Sequence, residues 1–389
     1  MNLKRYLIGL TLLIGALVLV GAVSAGVNTD RPVGEKRVVA HTQEEVSQAV
    51  SQGCVVVREV KNLTALRCPG NVAESLSLQE DIRFFAVNEG NSINALRGKP
   101  GSGGTTYPNP LNQIGADLVQ ATGNTGQDRV VVVLDTGYNY NHPELSSSYL
   151  AGGYDFVNDD ADPMDDEGHG SHVAGIITAD GPNAHGVAPD TQVVAIKVLD
   201  ENGSGFFSDI IAGIYWAVDE EFGADAINIS IGTSAPYLYK GICDGVLPEL
   251  TDAIKYATDS GVVVAVAAGN SGKTGVSLPG CISYSTTVGA VNNKDAVASF
   301  SGRGTSVDIS APGVSIYSTI LGSAYASWSG TSMATPMITG AVALIKADNP
   351  SYTQSDVETA LFTTAKDLGT AGKDKGYGWG RAQVNLAVQ

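Results

Sequence analysis

The chain has 389 residues, 23 of them basic and 40 acidic, for a formal charge of −17. Charged residues make up only 16% of it, so the imbalance reflects scarce Lys and Arg rather than surplus acid. That argues against nucleic-acid binding, which needs clustered basic side chains, and against a densely charged, salt-adapted surface. With 43% hydrophobic residues and 47 glycines, the chain is globular, loop-rich and long enough for one large core plus a smaller domain.

Lys4 and Arg5 precede an apolar run over residues 6–23 that ends in Val23-Ser24-Ala25. This is the pattern of a secretory signal (1–25) cut after Ala25; an uncleaved anchor is the alternative, since the run approaches the ~20 residues that span a bilayer. Either way the remainder leaves the cytoplasm, and disulfides become permissible. Cys54, Cys68, Cys243 and Cys281 allow three pairings. Cys54 and Cys68 flank two apolar stretches, 55–60 and 63–66, joined by Lys61-Asn62, which reads as a hairpin with the two cysteines opposite each other. Cys243 then pairs with Cys281. Residues 26–96 read as a small α+β unit with a helix over 43–51, this hairpin and a last strand over 81–87. Residues 97–108 read as a Gly-rich linker.

From 109 to 389 the pattern changes to alternating strands and helices. Residues 129–135 (RVVVVLD) form a continuous apolar strand of the kind buried on both faces, and 193–199, 225–231, 261–267 and 285–291 repeat the type. Helical spacing runs over 209–222 and 248–258. Such alternation predicts an α/β fold of three layers, a mostly parallel, doubly wound sheet covered on both sides. Functional residues are then expected at the carboxyl ends of the strands.

Three segments meet that expectation. The first strand ends in Asp135-Thr136-Gly137. Gly168-His169-Gly170-Ser171-His172 leads from a loop into a helix. Gly330-Thr331-Ser332-Met333-Ala334-Thr335-Pro336 opens a second, wholly apolar helix, with Pro336 expected in its first turn, where no donor is needed. A serine at a helix N-terminus sits in a field that favours developing negative charge. Singly, each residue reads as well as a turn or a cap; together, Asp, His and Ser follow the order of the subtilisin triad.

The chain thus resembles the subtilisin-family (subtilase) serine peptidases from about residue 30 to its C-terminus. Within the three motifs it departs only at Ser171, where the family usually has Thr. The resemblance implies Ser332 as nucleophile, His169 as general base and later acid, and Asp135 as the group that orients His169. Gly269-Asn270-Ser271 resembles the segment that supplies the oxyanion-hole asparagine, with the Ser332 N–H as second donor. Sedolisin-type peptidases share the serine motif but use Glu as base and Asp in the oxyanion hole; His169 and Asn270 disfavour that reading. His172 reads as a packing residue, and a zinc site fails for want of a His-Glu-x-x-His pattern. A catalytically silent binding or inhibitory relative is the alternative from another class.

The resemblance also implies two edge segments, Gly203-Ser204-Gly205 and Ser230-Ile231-Gly232, that pair with an extended polypeptide substrate. The primary pocket would lie between Ser230-Ile231-Gly232 and Ala267-Ala268-Gly269, small uncharged walls suited to a bulky apolar or aromatic P1 side chain, with Phe207 shaping an apolar P4 site. Residues 26–96 would be an inhibitory propeptide that occupies this cleft, folds its own enzyme and is cut after Leu96, since Ile93 and Leu96 offer apolar P4 and P1 residues. Residues 155–166 hold six aspartates, and the spacing resembles a calcium loop: Asp155, Asp160 and Asp162 through carboxylates and Met164 through its carbonyl would hold a structural Ca²⁺. The mature product is expected to be a secreted monomer with no stable membrane association.

Overall fold

The computed structural model describes residues 34–87, 110–220 and 222–389. The N-terminal unit comprises β1 (Glu35–Ala40), α1 (Gln43–Ser51), β2 (Val55–Val60), β3 (Leu63–Pro69), α2 (Gly70–Ser75), β4 (Gln79–Glu80) and β5 (Arg83–Ala86). Thr42 starts α1 through a capping box: its hydroxyl accepts from the Glu45 N–H while the Glu45 carboxylate accepts from the Thr42 N–H. β2 and β3 form the expected antiparallel hairpin, closed by Cys54–Cys68. The four-stranded sheet, in order β2-β3-β1-β4, packs Val38, Ala40, Leu66 and Cys68 against Val72, Ala73 and Ala49 in a small core of its own.

The remainder runs α3 (Pro110–Ile114), α4 (Ala116–Gln120), β6 (Val130–Asp135), β7 (Tyr154–Asp155), α5 (His169–Thr178), β8 (Gln192–Lys197), β9 (Ser204–Phe206), α6 (Phe207–Asp219), β10 (Ala226–Ile229), β11 (Ile231–Gly232), β12 (Leu238–Tyr239), α7 (Pro248–Asp259), β13 (Val263–Ala267), β14 (Val276–Ser277), β15 (Thr286–Val291), β16 (Ile309–Pro312) and α8 (Thr331–Asp348). Seven strands form one sheet in the order β16-β15-β13-β10-β6-β8-β7, every neighbouring pair parallel. Strand order reverses beside β6, which feeds β8 on one side and borders β10 on the other. A reversal of that kind opens a crevice at the carboxyl ends of the strands.

The side-chain period of two divides β6 between two cores. Val131 and Val133 pack with Val173 and Ile177 of α5 and Met337, Ile338 and Ala341 of α8. Val132 and Leu134 pack on the other face with Ile210 and Ile214 of α6 and Leu250 and Ile254 of α7. Because both faces are buried, these strands read as unbroken apolar runs. The second disulfide, Cys243–Cys281, ties the segment before α7 to the one before β15. No helix among the described residues is long and apolar enough to cross a membrane.

Candidate active site

The three singled-out segments converge at the reversal point. Asp135 ends β6, fully buried, and its Oδ1 accepts from the Thr136 N–H at 2.8 Å and lies 2.7 Å from His169 Nδ1. With the proton held on Nδ1, the basic nitrogen of the ring is Nε2, which is buried and has no protein partner. Burial pulls the His169 pKa down, but the Asp135 carboxylate, helped by Glu167 and Asp165, outweighs it and the net shift is upward. His172, one turn on, is buried, places Nε2 3.1 Å from the Ala326 carbonyl and stacks on Trp328. Burial and the neighbouring His169 pull its pKa down to about 3, so it stays neutral and packs.

Asp165 lies outside the sequence motifs yet holds two of them together. Its Oδ1 accepts from Thr136 Oγ1 at 2.8 Å and from the Glu167 and Gly168 N–H groups; its Oδ2 accepts from the Ser171 N–H at 2.8 Å and from Ser171 Oγ at 2.5 Å. One buried carboxylate thereby fixes the end of β6 against the start of α5. Ser171 keeps a hydroxyl where the family usually has Thr, and that hydroxyl also accepts from the Asn139 N–H. Only a pattern of main-chain donors, invisible in sequence, reveals this role.

Ser332 is the second residue of α8. Its Oγ donates to the Ser230 carbonyl at 2.9 Å, and the first helical turn leaves its N–H without an intrahelical acceptor. Asn270 follows β13; its Oδ1 accepts from Thr331 N–H and Oγ1, which aims Nδ2 inward, buried and without a partner. Pro336 corrects an expectation. It is the sixth residue of the helix, past the first turn, so it leaves the Ser332 carbonyl without its usual donor. Ser230 Oγ fills that role at 3.0 Å. The hydroxyl and carbonyl of Ser230 therefore brace both ends of Ser332.

The two edge segments are occupied by the chain itself. β5 lies between β9 and β11, antiparallel to both, with Phe84 opposite Gly205, Phe85 opposite Ser204 and Gly232, and Ala86 opposite Ile231. The Ala86 N–H donates to the Gly203 carbonyl at 2.9 Å and the Val87 N–H to the Ser230 carbonyl at 3.3 Å. Phe84 is wholly buried in one cluster with Phe207. A side chain on Gly232 would start 2.5 Å from Ser277 Oγ and 2.9 Å from Val87 Cγ2, which explains the glycine. Gly269, at φ +85°, is likewise closed to a side chain, by Ser277 Oγ. Ala267 and Ala268 are buried beside it. Ser277, missed in the sequence, thus stands between the two predicted walls with a buried, unpartnered hydroxyl. The Ile93–Leu96 stretch lies outside the described residues, as do 1–33.

Charge anchors the N-terminal unit on the same side. Arg37 meets Asp81 at 2.8 Å and Asp209 at 2.7 Å, and Arg58 meets Asp209 at 2.8 Å. Asp81 also accepts from the Ser208 N–H and Oγ at the start of α6, where the helix dipole favours an anion.

The aspartate-rich loop offers the oxygen donors a hard cation requires. Asp155 and Asp160 are bridged by a pair of backbone hydrogen bonds. The carboxylates, however, are engaged locally: Asp155 with the Val157 and Asn158 N–H groups and Asn158 Nδ2, Asp160 with the Asp162 N–H, Asp162 with Tyr140. Among the described residues no three acidic, histidine or cysteine side chains gather as a metal would need. The donor chemistry fits calcium, whereas the arrangement does not form a finished cage.

Comparison with known proteins agrees with this geometry. The model of the subtilase family matches residues 126–380. A thermophilic serine proteinase of Bacillus sp. (strain AK1) is 42% identical over 259 residues, 66% of this chain and 60% of its own length. A subtilisin of Bacillus pumilus is 39% identical over 291 residues, 73% of this chain and 99% of its own. Subtilisin E of Bacillus subtilis (strain 168) is 39% identical over 291 residues, 73% and 72%. The family match takes in the whole seven-stranded sheet and the helices that carry His169 and Ser332, and so this chain belongs to the subtilase family, the subtilisin-like serine endopeptidases.

Proposed function

We propose that the chain is a secreted zymogen whose N-terminal unit sits in the active-site cleft as the first substrate and then as inhibitor. Ser332 Oγ turns from the Ser230 carbonyl, gives its proton to His169 Nε2 and attacks the carbonyl carbon held in front of it. Asp135 keeps the proton on Nδ1 and stabilises the imidazolium that forms. The tetrahedral oxyanion is received by Asn270 Nδ2 and the Ser332 N–H, both free to donate. His169 then protonates the leaving amine, and water releases the acyl group by the reverse sequence.

The strand pairing of Arg83–Ala86 carries the proposal, because it holds an extended chain against both edge segments beside the triad. Its register assigns Phe84 to the P4 position, Ala86 to P2 and Val87 to P1, so the first cut follows Val87 rather than Leu96. An apolar P1 and an aromatic P4 preference follow for other polypeptides. N-terminal sequencing of the product and the mass of the released fragment test this. A mature chain starting at Asn88 with a fragment ending at Val87 is expected, and Ser332→Ala should leave the chain intact. A first cut after Leu96 would overturn the register.

Subtilases as a family bind calcium, and we place a structural ion here at Asp155, Asp160, Asp162 and the Met164 carbonyl. Binding would exchange the Asn158 donors on Asp155 for the cation. It would brace the loop before His169 and take no part in the chemistry. Export completes the reading, supported by the apolar N-terminal run and the two disulfides.

A further inference from the structure

Beyond the cleft, the N-terminal hairpin sets cations on an outer face of the catalytic domain formed by α6, α7 and the loop after β7. Arg58 pairs with Asp209 at 2.8 Å and Asp159 at 3.4 Å, and its guanidinium lies 4.6 Å from the centre of the Phe156 ring. Lys61, in the hairpin turn, places Nζ 3.3 Å from Asp219 and 4.7 and 5.4 Å from the ring centres of Tyr215 and Tyr256. The Tyr256 hydroxyl donates to Asp219 and holds that carboxylate beside the rings. His41 lies 3.3 Å from Glu249. Arg58 and Lys61 thus each meet a carboxylate and an aromatic face together, two attractions that favour the same charge.

The cations all come from the hairpin side. Among the described residues, every ion pair made by Asp159, Asp209, Asp219 and Glu249 is with the N-terminal unit. Release of that unit therefore leaves an acidic, aromatic face to which the catalytic domain supplies no ion-pair partner of its own. A basic polypeptide is the ligand that restores the balance.

The face is also continuous with the cleft. Upstream of Phe84, the Ile82 carbonyl accepts from the Phe207 N–H at 3.0 Å and Asp81 accepts from the Ser208 N–H at 3.1 Å. A chain leaving P4 is thus carried to the start of α6, beside Asp209, by P7. Asp219 ends the same helix, about 15 Å further along at 1.5 Å per residue. An extended chain covers that distance in about five residues.

Resting on the peptidase reading and on release of the N-terminal unit, we infer that this face is an exosite for substrate. Asp159, Asp209 and Asp219, with Phe156, Tyr215 and Tyr256, recruit polypeptides that carry Lys or Arg clusters upstream of P7. Selection of this kind lies outside the cleft and leaves the apolar P1 preference as it is.

The test uses the mature enzyme and three fluorogenic peptides sharing Phe at P4 and Leu at P1. One is the bare tetrapeptide; one has an N-terminal extension with Lys and Arg spread over about P8–P13; the third replaces those residues by Gln. Uniform binding lowers KM and leaves kcat unchanged. With two partly exposed cation sites engaged, KM for the basic peptide should be about tenfold below that for the Gln peptide at low salt. The ratio should shrink as NaCl rises from about 20 mM to about 1 M. In Asp159→Asn/Asp219→Asn it should fall toward one while the bare tetrapeptide is cut as before. Asp128→Asn/Asp348→Asn, with the same change in net charge away from α6 and α7, should keep it. Equal KM values in the wild type, a ratio indifferent to salt, or one that survives in Asp159→Asn/Asp219→Asn would overturn the exosite while sparing the peptidase reading. Equal loss of the ratio in both double variants would overturn it too, since the attraction would then belong to the overall charge. Hydrolysis of none of the peptides would overturn the peptidase reading and this inference with it.

Discussion

Phe84→Ala removes the side chain that the proposed register puts at the P4 position of the cleft. Phe84 is fully buried in the same apolar cluster as Phe207, a cluster drawn mostly from the catalytic domain, and not in the small core of the N-terminal unit. The substitution should therefore leave that unit folded and weaken its docking. Truncating a buried Phe to Ala costs about 3–5 kcal/mol; the lower figure corresponds to a roughly hundredfold rise in inhibition constant, at about 1.4 kcal/mol per factor of ten. The assay adds the isolated N-terminal fragment, ending at Val87, to mature enzyme and reads its Ki with a chromogenic peptide, circular dichroism serving to verify the fragment's fold. A Ki that changes by less than about threefold, with the variant fragment folded, would refute the assignment of Phe84 to the cleft and with it the register.

Asn270→Ala should lower kcat by about 10²–10³ with little change in KM, the magnitude measured for this donor in a subtilisin; an unaltered kcat would remove Asn270 from the oxyanion site. Burial, outweighing the pull of Arg37 and the Ser208 donors, pushes Asp81 up to about 6 from an ordinary 3.8. A carboxyl with a higher pKa when docked takes up a proton on docking, so fragment affinity for the Ser332→Ala enzyme should rise as pH falls from 7 toward 5 and level off below about 4. The gain is on the order of a hundredfold at most, and Asp81→Asn should flatten it; affinity that falls over that interval would contradict the sign. Chelation should lower the unfolding midpoint of the mature enzyme by several degrees if calcium completes the 155–164 loop, as proposed, and an unchanged midpoint would dismiss the ion.

The sheet and the positions of Asp135, His169 and Ser332 at a strand end and two helix starts were legible in the sequence because both obey local rules. Doubly buried strands such as β6 write unbroken valine runs, and Asp135, His169 and Ser332 each sit at a strand end or helix start inside a short motif. The hairpin turn at Lys61-Asn62 likewise places Cys54 opposite Cys68, and the two are bonded. Residues acting through space were not legible. Asp165 works by joining the Thr136 hydroxyl at the end of β6 to main-chain donors at the start of α5, and Ser277 by standing between Gly232 and Gly269. The proposed cut after Leu96 rests on side-chain type, whereas the cut proposed after Val87 rests on which backbone groups meet the cleft edges, those of Phe84, Ala86 and Val87. Pro336 was misplaced because a helix that opens at Thr331, as the motif indicates, puts the proline at its sixth position, already past the first turn.

The central claim is that Ser332 forms the acyl-enzyme, and covalent titration tests it most directly. Mature enzyme is treated with a peptidyl phosphonate bearing Phe at P4 and an apolar P1 residue, then digested for peptide mass spectrometry while residual activity is followed. The account predicts one adduct per chain, on Ser332, forming in step with the loss of activity and absent from Ser332→Ala. An adduct on another residue, or full activity in enzyme labelled to completion at Ser332, would contradict it.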